Sequence, residues 1–302
     1  MPCETALSAM HLLKGNQLVV FAVLVLILSL CIFTANALVI FGIVKTRQLG
    51  SVLNRFFLFL SISDCCLAGI GLPLNAAMLL KKHHRNENCT IEISVQFVIF
   101  LFTHFSGFMI VTIAIDRYIH MRYLQRYQVI MTKSRAGAVI AFGFGLSLLI
   151  CTAYTISSVH GIFQWVNMVI ILIDLAAAVT VYIAYKKVYS EVKQHLKRIE
   201  NVRTSSQAPP YAVAMIHTIL FILVSTFVCY IPYEMMNAFL FFKVQINNQG
   251  LSSNLSLAVL STHLLVYLNS CSNAIIFVYK NDPIRNLIKK QFRSSVQPRD
   301  PT

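Results

Sequence analysis

Seven stretches of the chain are apolar for about 20 residues or more: 18–44, 56–80, 93–115, 136–159, 161–185, 211–242 and 255–279. That is the length a helix needs to cross a bilayer. Four of them carry no charged residue. The other three carry one each: Asp64 in the second, Asp174 in the fifth and Glu234 in the sixth. Each is too long for an ordinary strand, and none alternates as a barrel strand does. Hydrocarbon admits only helices or closed barrels, so the pattern predicts an all-α, seven-transmembrane helix bundle. After the seventh span, Asp282-Pro283 opens a stretch with Ile284, Leu287, Ile288 and Phe292 at helical spacing and Lys289, Lys290 and Arg293 among them. This predicts a short amphipathic eighth helix lying on the membrane surface.

Composition agrees. Hydrophobic residues make up 57% of the 302 and charged residues 12%, about half the share in an average soluble domain. That excludes disorder and a soluble enzyme core. The net charge of +14 raises nucleic acid as a partner, but its distribution removes that reading. The segments on one side of the seven spans (45–55, 117–135, 186–210, 280–302) hold 20 Lys and Arg, and those on the other hold 5. Short cytoplasmic loops collect cations, so the N-terminus is expected outside and the C-terminus inside. Two N-x-[ST] sequons, at Asn88 and Asn254, both fall on the expected outer side and are candidate glycosylation sites. The organisation expected is an extracellular segment 1–17, a membrane domain 18–279, and a surface helix with a short cytoplasmic tail over 280–302. The first 17 residues lack a signal-peptide pattern, so the first span is expected to act as an uncleaved anchor. Of the eight cysteines, Cys31, Cys65, Cys66, Cys151, Cys229 and Cys271 fall inside apolar runs and read as small packing residues.

Polar residues inside a bilayer are costly and are functional candidates by default. Asp64 lies near the middle of the second span, and Asn36, Ser106, Asn269 and Asn273 are available to it from other spans. A carboxylate among hydroxyl and amide oxygens can hold a small hard cation such as sodium. It can equally form a polar packing knot with ordered water, and the spacing favours neither. In the third span Ile99, Thr103, Ser106, Ile110, Ile113 and Arg117 form one continuous helical face ending in Asp116-Arg117-Tyr118. The acid beside Arg117 can hold and release it; a snorkelling Arg at a helix end gives the same pattern. In the outer halves, Thr103, His104, Asp174, Glu234, Asn237, His263 and Tyr267 are candidates to line an outward-opening pocket, and each alone is as readily an interhelical hydrogen bond. The acidic pair suits a cationic group on a ligand; a buried Glu can equally be protonated.

Several runs together resemble a rhodopsin-like (class A) G-protein-coupled receptor across nearly the full length. They are Asn36-Ala37-Leu38-Val39, Leu60-Ser61-Ile62-Ser63-Asp64, Ala114-Ile115-Asp116-Arg117-Tyr118, Cys229-Tyr230-Ile231-Pro232-Tyr233 and Asn269-Ser270-Cys271-Ser272-Asn273-Ala274-Ile275-Ile276-Phe277, in order on the seven spans. The resemblance implies a receptor that binds an extracellular peptide or small molecule and activates a heterotrimeric G protein, with arrestin and membrane lipids as further partners. It implies no cofactor, and a sodium ion as a modulator at Asp64, Ser106, Asn269 and Asn273. It implies activation through Asp116, Arg117, Tyr118, Tyr185, Tyr230, Pro232, Asn273 and Phe277, by outward movement of the sixth helix about Pro232. Agonist and G protein would each favour the active arrangement.

The sequence departs from that pattern. The sixth-span aromatic is Tyr230 rather than Trp. The seventh span has Ala274 for Pro and Phe277 for Tyr, and the fourth has Phe144 for Trp. No acid stands at the base of the sixth span to lock Arg117. Loss of that lock and of the tyrosine predicts raised basal activity. The short, cysteine-free second outer loop and a fifth span without Pro resemble the melanocortin, adenosine, cannabinoid and lysophospholipid branch. The second inner loop looks melanocortin-like; Thr103 and Asn237 look adenosine-like. The acidic set for a melanocortin peptide is incomplete, since Leu74 and Gln96 stand where two members belong, and Tyr267 stands where adenosine receptors have His. Ile99 at the ammonium-binding position argues against an amine. Cys89 lies off the family position and can pair with Cys3 or stay free.

A transporter or channel is the competing class. Such folds show repeated halves and helices broken at midplane, whereas this chain has only Pro73 and Pro232 inside its spans and no internal repeat. An enzyme is disfavoured by the lack of an H-E-x-x-H metal set or a Gly-x-Ser-x-Gly elbow.

Overall fold

The computed structural model describes residues 15–83, 89–160, 163–202, 210–243 and 252–296, with side chains placed for most of them. The helices are α1 Gly15–Lys45, α2 Val52–Cys66, α3 Leu72–His83, α4 Cys89–Arg122, α5 Tyr127–Ile130, α6 Lys133–His160, α7 Phe163–Val202, α8 Pro210–Phe241, α9 Ser253–Lys280 and α10 Asp282–Val296. The second span is α2 and α3 joined by a π turn, Leu67–Gly71. Among the described residues six helices are long and apolar enough to cross a membrane, and α8, which carries Pro232 internally, is the remaining span.

The spans close into a bundle. Each packs on its neighbour in sequence, and α9 returns to α1. The third span, α4, runs through the middle and touches α2, α3, α6 and α7. Two apolar cores result. One gathers Ile43, Phe57, Leu60, Met109, Ile113, Tyr185 and Phe277 toward the α5 and α10 end. The other gathers Leu18, Leu67, Leu72, Leu79, Ile99 and Tyr267 toward the opposite end. Between them lies a buried polar layer of Asn36, Asp64, Ser106, Asn269, Ser270 and Asn273.

The π turn leaves a carbonyl outside the regular helical ladder, and Ser29 Oγ of α1 donates to Ala68 O at 2.7 Å. Gly71 brings the start of α3 against α4, where a Cβ would meet Ile99 Cγ1 at 3.1 Å. The surface helix α10 docks where α1 has no side chain: Ile284 is fully buried against Gly42. Its Asn281 anchor exchanges amide hydrogen bonds with Gln48, Nδ2 to Oε1 at 2.7 Å and Nε2 to Oδ1 at 3.2 Å.

The fifth span is the apolar part of a longer helix: α7 continues to Val202, because Lys, Gln and Glu after the apolar run are themselves good helix formers. One expectation is corrected. The cysteines are not uniformly packing residues: Cys151 and Cys229 are buried, but Cys31 is exposed on the lipid-facing side of α1.

Candidate functional site

The polar residues fall at three depths of one bundle. At the α5 end, Asp116 is wholly buried and its carboxylate is divided between two donors. Arg117 Nη2 and Nε donate to Oδ2 at 2.6 and 3.2 Å, and Tyr127 Oη donates to Oδ1 at 2.6 Å. Burial, and then the Asp116 carboxylate, push the Tyr127 phenol well above its usual range, so it stays a donor. Nearby, Arg122 pairs with Glu191 of α7 at 2.8 Å. Lys187 Nζ sits 5.2 Å from the centre of the Tyr118 ring. Tyr185 is buried with its hydroxyl unpartnered among the described residues, within electrostatic reach of Arg117. Phe277 lies against Phe57, ring centres 4.4 Å apart.

At mid-depth Asp64 is fully buried. Ser270 Oγ donates to its Oδ1 at 2.9 Å, a partner the sequence analysis missed. Ser270 and Asn273 are three apart in α9 and so share a face; that spacing was the available signal. Asn36 Nδ2 donates to Ser270 O at 3.3 Å and ties α1 to α9. Six buried polar atoms of this layer have no hydrogen-bond partner among the described residues: Asn36 Oδ1, Asp64 Oδ2, Ser106 Oγ, Asn269 Oδ1 and Nδ2, and Asn273 Nδ2. Buried polar groups are rarely left so. Four of them are oxygens on different helices, α1, α2, α4 and α9, which is the kind of ligand set a hard cation takes.

At the far end His104 Nδ1 lies 3.6 Å from Asp174 Oδ1, and Glu234 stands on the neighbouring α8 two residues after Pro232. The three come from α4, α7 and α8. Phe100 stacks on Tyr154 at 4.1 Å beside His104. A second group forms between α8 and α9: Tyr233 meets His263 edge-on at 5.1 Å, with Asn237 one helical turn on from Tyr233 in α8. His263 Nδ1 lies 2.8 Å from Val259 O and is therefore its protonated nitrogen. Tyr267, 3% exposed, instead faces Asn75, whose Nδ2 donates to its hydroxyl at 3.5 Å. Thr103 Oγ1 is buried without a hydrogen-bond partner among the described residues. Tyr230 and Pro232 lie between the outer and middle levels on α8. Asn254 is exposed in the first turn of α9. Asn88 and Cys3, and the side chain of Cys89, lie outside the described residues.

The family model of the "7 transmembrane receptor (rhodopsin family)" matches residues 35–277. The chain belongs to the rhodopsin family of receptors. As a family member it is a multi-pass membrane receptor that takes an extracellular ligand and couples to G proteins. It is similar to galanin receptor type 2 of Rattus norvegicus, 25% identical over 85% of this chain and 69% of that receptor. It is similar to adenosine receptor A2a of Canis lupus familiaris, 23% identical over 92% of this chain and 73% of that receptor. It shares 32% identity with the histamine H1 receptor of Homo sapiens over 42% of this chain and 26% of that receptor. These names span several branches of the rhodopsin-like receptors and select no ligand.

Proposed function

We propose that this receptor lies in the plasma membrane with its N-terminus outside and answers a ligand bearing a cationic group, peptide or small molecule. The ligand's cation sits among His104, Asp174 and Glu234, with Thr103, Asn237 and His263 on the walls. A cation between the Asp174 and Glu234 carboxyls would be attracted to both. The ligand-bound arrangement lets α8 swing about Pro232, with Tyr230 and Phe277 repacking. Arg117 then leaves Asp116 for the G protein, assisted by Tyr118, Tyr185 and Asn273. Arrestin competes for the same face. Asp64, Ser106 and Asn269, with Asn273, are the residues that would hold sodium, which would supply positive charge to a buried carboxylate in the resting arrangement. Asn88 and Asn254 would carry glycans.

The observation that carries this reading is the Asp116 carboxylate, wholly buried and bonded on one oxygen to Arg117 and on the other to Tyr127. A ligand-library screen in cells with cAMP and calcium readouts tests it, using Arg117→Ala as the control. A ligand response that survives Arg117→Ala overturns the coupling assignment.

A further inference from the structure

A groove of about 450 Å³ opens on the outer surface of the bundle between α1 and α2. Phe33, Ala37, Phe41 and Val44 line it from α1 and Cys65 from α2, with Lys45 at one end. Ala37 is its floor: it stands between Phe33 and Phe41 at i, i+4 and i+8, so two rings rise on either side of a methyl group. The Cys65 thiol is turned to Phe33 O at 3.8 Å, which leaves the walls without a free polar group except Lys45. Among the described residues nothing covers this face: Phe33, Phe41 and Val44 are all exposed. In a chain that spans a bilayer, lipid covers it.

Length and charge narrow the lipid. Phe33 to Lys45 is twelve residues of α1, a rise of about 18 Å. The hydrocarbon core is about 30 Å thick, so the groove runs through about one leaflet and ends at headgroup depth. The segment 45–55 holds Lys45, Arg47 and Arg55 and no acidic residue. We infer that this groove is a binding site for an anionic glycerophospholipid of the leaflet at the Lys45 end, one acyl chain lying over Ala37 and the headgroup phosphate held by the Lys45 ammonium. A sterol would fill the apolar part and leave Lys45 without a counter-charge. A zwitterionic lipid would bring a second cation beside Lys45.

The test is lipid retention. Full-length receptor is reconstituted in nanodiscs of equimolar phosphatidylserine and phosphatidylcholine with cholesterol, then stripped with mild detergent and examined by native mass spectrometry. The expected result is one retained phosphatidylserine per receptor, in preference to the other two lipids. Lys45→Gln lowers that retention about fivefold, the worth of one lysine against an anionic lipid. Lys290→Gln, which removes an exposed cation on the same side but outside the groove, leaves it unchanged. Ala37→Phe, which fills the floor, abolishes retention; should that variant fail to fold, the two lysine variants still decide. Equal retention of both phospholipids, retention of cholesterol instead, or equal losses from Lys45→Gln and Lys290→Gln overturn the site.

Discussion

Tyr127 donates its hydroxyl hydrogen to Oδ1 of Asp116 across 2.6 Å. It reaches from a four-residue helix in the loop after α4 to the buried end of α4 itself. In the proposed mechanism this bond would do for Asp116 what an acid on α8 would do for Arg117, holding the resting arrangement. Removing one donor from a buried carboxylate costs about 1–3 kcal/mol. If about 1 kcal/mol of that falls on the resting arrangement alone, Tyr127→Phe raises ligand-independent nucleotide exchange about fivefold. Unaltered exchange in a normally expressed variant counts against the role.

The same bond has a defined pH behaviour. The folded-state phenol titrates above its unfolded value, so its contribution is complete below the ordinary tyrosine value of about 10 and is lost only as pH rises through the raised one. The ratio of exchange in Tyr127→Phe to that in the wild type is therefore constant from about pH 6 to pH 9. A ratio that falls toward one within that window contradicts the assignment.

The polar layer predicts a sodium effect on stability. A ligand at ten times its dissociation constant stabilises by about 1.4 kcal/mol. Replacing choline chloride by sodium chloride should raise the thermal midpoint of the wild type by a few degrees. Asp64→Asn and Ser106→Ala should each remove that rise. An equal rise in wild type and Asp64→Asn would falsify the site.

Gly42 and Ile284 allow a double-mutant test of how α10 is held. A Cβ at Gly42 would stand 2.5 Å from Ile284 Cγ2, so Gly42→Ala should destabilise by about 1–3 kcal/mol through overpacking. In an Ile284→Ala background the same substitution should cost nothing measurable, since the methyl then has room. Additive losses in thermal unfolding would show that α10 is held elsewhere.

At the outer end, Glu234→Gln should weaken a cationic agonist about 30-fold or more, given that losing one partner of a buried charge pair costs 2–5 kcal/mol. It should leave a neutral ligand within a few-fold. Radioligand or functional competition with matched charged and uncharged ligands separates the two, and equal loss for both points to a collapsed pocket rather than a charge contact.

The seven spans, their order and the residues of the middle layer were legible in the sequence because the bilayer dictates both the length of a span and the cost of a polar residue within it. Asp64, Asn36 and Asn269 stood out on that ground alone. What the sequence concealed are pairings between distant turns of chain. Ser270 and Asp64 are 206 residues apart, and periodicity places Ser270 on a face without saying what that face meets. Tyr127 belongs to an inner loop whose sequence looks melanocortin-like, and only the fold of that loop brings it to Asp116. The π turn before Pro73 left no mark in hydropathy, since an extra residue in a helix turn changes register and not composition. Tyr267 looked like a pocket residue by position, and the register set by that turn puts Asn75 opposite it instead.

The account rests on Arg117 as the residue released to the G protein. Purified receptor in nanodiscs, mixed with heterotrimeric G protein and no ligand, gives the most direct test by guanine-nucleotide exchange. The prediction is exchange above that of empty nanodiscs in the wild type, a further rise in Tyr127→Phe, and a fall to the empty-disc rate in both when Arg117→Ala is added. Exchange that persists in the Arg117→Ala variants at normal folding and expression would contradict it.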